Sequence, residues 1–99
     1  MASATYLHAT VGNWHASLEC IDGRIHIKLT GPDGLVAEVG PKALGVQCNQ
    51  VDAEEAVDML RKPEMRNAIP LRHRKDYDRV VNALDRKVAG SGLPRHPTK

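Results

Sequence analysis

The chain reads as an α+β protein: a four-stranded antiparallel β-meander with two main C-terminal helices packed on one face. Three observations predict this class. Apolar and polar residues alternate between residues 5 and 39, broken by turn signals at Gly12-Asn13, Asp22-Gly23 and Gly31-Pro32-Asp33-Gly34. The apolar members of that alternation share one face, so the sheet must be covered on one side only. Two later segments change to helical periodicity and can supply the cover. The 99 residues make one domain, expected over residues 1–89, with residues 90–99 a flexible tail. Nothing of the size of a TIM barrel or a two-lobed nucleotide-binding enzyme fits in this length.

The meander carries a register argument. Asp22-Gly23 is the sharpest turn signal, because a type I′ turn needs positive φ at both central residues. A two-residue loop there sets Cys20 opposite Ile25, Leu18 opposite Ile27 and Ala16 opposite Leu29. A two-residue loop at Gly12-Asn13 sets Leu7 opposite Leu18 and Ala9 opposite Ala16. Every pair is apolar and on one face, which a slip of one residue would destroy. The fourth strand runs around Leu35–Val39, and Gly40-Pro41 ends it. The opposite face carries Tyr6, His8, Thr10, His15, Ser17, Glu19, Arg24, His26 and Lys28.

In the first helix Asp52 reads as N-cap, with Glu55 at capping-box spacing. Ala53, Ala56, Val57 and Leu60 then form one apolar stripe, and Pro63 stops it. Residues 63–70 form a connector with room for one helical turn, closed by Pro70. The last helix, over 74–89, puts Tyr77, Val80, Val81, Leu84 and Val88 on one side, and Gly90-Ser91-Gly92 ends it. With no Phe and one Trp, aliphatic residues must build the core, and Trp14 reads as its anchor.

The net charge of +2 hides a division. Residues 1–60 carry three Lys/Arg against eight acids, a net −5; residues 61–99 carry eleven against four, a net +7. Such asymmetry points to an acidic partner. On the last helix Lys75, Arg79 and Arg86 fall within about 40° of one another, opposite the apolar stripe. Arg72, His73 and Arg74 lead into them, and Asp78 and Asp85 lie on the flank. A row of guanidinium forks suits phosphate oxygens. The ordinary alternative is the solvated back of an amphipathic helix.

The polar sheet face is the second candidate. The register sets Glu19 opposite His26, with His8 diagonal to Glu19, a cross-strand arrangement that can tune an imidazole. His8 and His26 stand about 10 Å apart, two strand steps, too wide for one zinc ion. Cys20 and Cys48 read as reduced thiols in a cytoplasmic setting, since no signal-peptide pattern precedes them, and without a CxxC neither a zinc ribbon nor a thioredoxin-type site is expected. Nothing near Cys48 activates it, and the glycines form no phosphate-binding loop. No apolar run approaches a membrane span.

The expected function is therefore a small, non-enzymatic cytoplasmic binding module without cofactor or metal. Its basic C-terminal region, through Arg72, Arg74, Lys75, Arg79 and Arg86, meets an acidic partner, either a nucleic-acid backbone or an acidic protein. The alternative is a protein–protein inhibitor, adaptor or phage-type accessory subunit using Tyr6, His15, Glu19 and His26 or an exposed strand edge, including assembly as a homodimer. A metalloenzyme built on His8, Glu19 and His26 ranks third, because no known catalytic constellation is present.

Overall fold

The structure, a computed structural model, describes residues 5–21, 24–43 and 49–93. Four strands, β1 (Thr5–Val11), β2 (Trp14–Ile21), β3 (Arg24–Thr30) and β4 (Val36–Ala43), form one antiparallel sheet in sequence order. Helices α1 (Gln50–Arg61), α2 (Pro63–Arg66) and α3 (Leu71–Ala89) follow. α3 lies across β1 and β2, and α1 lies across β3 and β4. The class is α+β, as the sequence predicts.

The register also agrees. Leu7 pairs with Leu18, Ala9 with Ala16, Ala16 with Leu29, Leu18 with Ile27 and Cys20 with Ile25. Gly12 takes φ of 56°, the conformation its two-residue turn requires. The Asp22-Gly23 turn, Cys48 and the last six residues lie outside the described residues.

Four expectations are corrected. β4 does not end at Gly40-Pro41 but runs on to Ala43. Ile27 pairs with Val39 while Ile25 pairs with Lys42, so β4 holds one extra residue, a bulge, at this point. Proline is tolerated in β4 because a bulge on an edge strand relaxes the demand for a ladder donor. α1 starts earlier than Asp52: Asn49 is its N-cap, its Oδ1 accepting from the Asp52 backbone N–H at 2.9 Å and its Nδ2 donating to Asp52 Oδ2 at 2.8 Å. The cap satisfies one backbone donor of the first turn, and the Asp52 carboxylate holds the Asn49 amide in the capping orientation. α3 starts at Leu71 rather than at residue 74, directly after Pro70, with no side-chain cap. Finally, Cys20 is disulfide-bonded rather than a reduced thiol. That removes the thiol argument for a cytoplasmic setting.

The core lies between the two layers. Leu18, Ile25, Ile27 and Leu29 from the sheet meet Val57 and Leu60 of α1 and Val80, Val81, Leu84 and Val88 of α3. Trp14, 1% exposed, sets its ring edge-on to Tyr77 at 5.5 Å. Gly31 closes over the Trp14 ring so tightly that a Cβ there would stand 2.6 Å from Cζ2. Tyr77 in turn donates its hydroxyl to the Leu60 carbonyl at 2.6 Å. Leu60 sits in the last turn of α1, where carbonyls lack helical partners, so this bond satisfies a group that burial would otherwise leave stranded. Among the described residues no helix is long and apolar enough to cross a membrane.

Candidate functional site

The outward side of α3 is set by what the inward side buries. With Tyr77, Val80, Val81, Leu84 and Val88 committed to the core, Lys75, Arg79 and Arg86 all emerge exposed, on one ridge along the helix. Arg79 Nη1 lies 3.8 Å from Asp76 Oδ1, a long, exposed pair. Lys75 and Arg86 make no ion pair among the described residues.

The flanking acids are neutralised from elsewhere. Arg66 of α2 grips Asp78 with two parallel hydrogen bonds, Nε and Nη2 each at 2.9 Å from a carboxylate oxygen. Arg61, at the end of α1, donates from Nη2 to Asn82 Oδ1 at 2.9 Å and to Asp85 Oδ2 at 3.2 Å, and from Nη1 to Asp58 Oδ1 at 3.0 Å. A shallow groove lined by Arg61, Arg66, Asp78, Val81 and Asn82 therefore runs beside the ridge. Neither arginine stands out in the sequence as a site residue. The only available signal is their spacing from the acids of α3, which has no meaning until α1 and α2 pack beside that helix.

The other two basic residues expected here serve different ends. Arg74 turns back, Nε and Nη2 donating to the Ile69 carbonyl at 3.1 and 2.9 Å, and fixes the connector where α3 begins. Arg72 points to the turn between β3 and β4, Nη2 at 3.6 Å from Asp33 Oδ2, with His73 Nε2 at 3.4 Å from the same oxygen. Asp33 holds φ of 60°, a conformation uncommon outside glycine, and these contacts help to secure it.

Two groups in this layer have displaced proton affinities. Hydrogen bonding to Asp78 pushes the Arg66 guanidinium still higher than usual, against a smaller desolvation effect. Burial pushes the Tyr77 hydroxyl up to about 12, with Asp78 adding to the rise and Arg66 opposing it.

The outer sheet face is a grid. One row across the strands is Thr10, His15, Thr30 and Val36; the next is His8, Ser17, Lys28 and Glu38; the third is Tyr6, Glu19 and His26. Glu19 and His26 are register partners as expected, yet among the described residues no ion pair joins them. The rings organise themselves differently. Tyr6 and His8 stack at 6.0 Å with planes 13° apart, and His8 meets His15 at 5.6 Å. Thr10 Oγ1 lies 3.2 Å from His15 Nδ1, and Lys28 Nζ lies 3.9 Å from Glu38 Oε1. His8 thus joins the row through Tyr6 and His15 rather than through Glu19. Among the described residues no three metal-ligating side chains converge.

Comparison with known proteins finds no matching family model, no matching curated protein and no matching solved structure.

Proposed function

We propose that this chain is a non-enzymatic binding module that lays the α3 ridge of Lys75, Arg79 and Arg86 on the phosphate backbone of a nucleic acid. The supporting observation is the placement of Arg61 and Arg66. By pairing Asp85 and Asp78 from neighbouring elements, they mask two of the three carboxylates of α3 that flank the ridge, leaving Asp76, which meets Arg79 only at 3.8 Å. The ridge then acts by charge and guanidinium geometry, with no base reading required. Arg72, paired with Asp33, and Arg74, bonded to the Ile69 carbonyl, stand outside the ridge.

The test is the salt dependence of binding to a labelled DNA duplex, followed by fluorescence anisotropy between about 50 and 200 mM salt. Affinity falls steeply over that range. Arg79→Ala with Arg86→Ala lowers affinity and flattens the logarithmic salt slope by about 0.9 for each phosphate no longer neutralised. Arg66→Gln, which unmasks Asp78 without touching the ridge, weakens binding in the same direction. Affinity indifferent to salt and to all three changes refutes the proposal. Binding to polyglutamate but not to the duplex, with the same sensitivity, transfers the ridge to an acidic protein.

A further inference from the structure

The outer sheet face lies on the side of the molecule away from α3 and carries its own cluster of rings. Tyr6, His8 and His15 form a continuous row of rings across β1 and β2, with consecutive centroids 6.0 and 5.6 Å apart. All three are exposed, Tyr6 by 58%. Beside the row the grid falls away. Ser17 and Thr30 are small, and with the rings and Lys28 they line a shallow depression. One wall of it is aromatic, its floor offers hydroxyls, and its far wall carries an ammonium group.

We infer that this depression takes an unpaired base of a single-stranded nucleic acid, stacked on the Tyr6–His8–His15 row with its phosphate directed to Lys28. Each part of that ligand has a counterpart in place. A planar heterocycle gains most from rings already held in near-parallel planes, as Tyr6 and His8 are at 13°. The hydroxyls of Ser17 and Thr30 can donate to or accept from a base edge. Lys28 approaches Glu38 only to 3.9 Å, with both side chains half exposed, so a phosphate can replace that pairing at small cost. Duplex DNA does not fit, because its bases are stacked on one another and offer no open face. The site therefore differs from the α3 ridge in ligand as well as in position.

The full chain is titrated into a fluorescein-labelled octathymidylate and into an abasic octamer with the same sugar–phosphate backbone. The strand with bases should bind about tenfold more tightly, the scale of one base–aromatic stack. Tyr6→Ala and His8→Ala should each remove most of that ratio, while Arg79→Ala with Arg86→Ala should leave it intact even where overall affinity falls. Both ring variants alter exposed side chains, and matching thermal melts confirm that they fold. On the unaltered protein, the imidazole proton signals of His8 and His15 should move with octathymidylate and stay still with the abasic strand. Equal binding of the two octamers, or unmoved His8 and His15 signals, overturns the inference. So does a dimer in sedimentation that Tyr6→Ala dissolves, since the face would then be a contact between copies.

Discussion

The two layers of this protein are held by different means. In the sheet, each strand is joined to the next by a ladder whose register follows from short turns and from apolar residues on one face. Its outer surface contributes little: among the described residues, one long Lys28–Glu38 pair, one Thr10–His15 hydrogen bond and a row of rings. In the helical layer, side chains reach across elements to close the structure. Tyr77 bonds to the end of α1, Arg66 to Asp78, Arg61 to Asp85 and Asn82, and Arg74 to the connector. Local rules suffice where hydrogen bonds run between backbones. Where three helices of unequal length must meet, polar side chains fix the join.

The largest effect is expected where the layers touch. Trp14→Ala empties the space beneath Gly31 and beside Tyr77 and should cost about 3–5 kcal/mol, read from denaturant unfolding. Gly31→Val tests the same place from outside. Its Cβ meets the Trp14 ring, and overpacking of this kind costs about 1–3 kcal/mol. If Gly31→Val leaves stability unchanged, the layers are less tightly joined than the ring packing implies.

Tyr77→Phe separates the layers more selectively. It strands the buried Leu60 carbonyl at a cost of about 1–3 kcal/mol. Amide exchange should quicken at the end of α1 and in α3 before it changes in β1 and β2. The same residue gives a pH test. Because the Tyr77 pKa is raised in the folded state to about 12, its contribution is complete below pH 10. It is lost as pH climbs from about 10 towards 12, and Tyr77→Phe should remove that part of the alkaline decline. A smaller loss, about 0.5–2 kcal/mol, is expected for Asn49→Ala, which uncaps α1 and takes the amide from Asp52. The smallest belongs to the half-exposed Arg66–Asp78 pair. A double-mutant cycle should find coupling that shrinks with added salt.

The same contrast explains which features are legible in the sequence. Strand pairing follows from Gly12-Asn13, Asp22-Gly23 and the alternation around Leu18 and Ile27, because period and turn chemistry are local. Helix interiors follow from their stripes. Helix starts do not. The Asn49–Asp52 pair is hidden by a more familiar match between Asp52 and Glu55, and α3 begins at Leu71 without any capping side chain. Lys75, Arg79 and Arg86 are visible because one helix carries them all. Arg61 and Arg66 are not, since their partners are 24 and 12 residues away and meet them only after the helices pack. Arg74 misleads for the same reason: its partner is a connector carbonyl, which has no signature in residue type.

The bulge in β4 also bears on how the protein behaves in crowded solution. An open sheet has two borders, each able to recruit a foreign strand and seed fibrous growth. In β4 the extra residue, next to a proline that has no amide hydrogen to offer, breaks the regular row of donors and acceptors on one border. Polymerisation along the sheet would need both borders, so spoiling one is enough to stop a chain reaction of strand addition. Deleting Gly40 and replacing Pro41 by Val would restore the regular spacing and the missing donor, and should raise the tendency to self-associate, read by light scattering on storage.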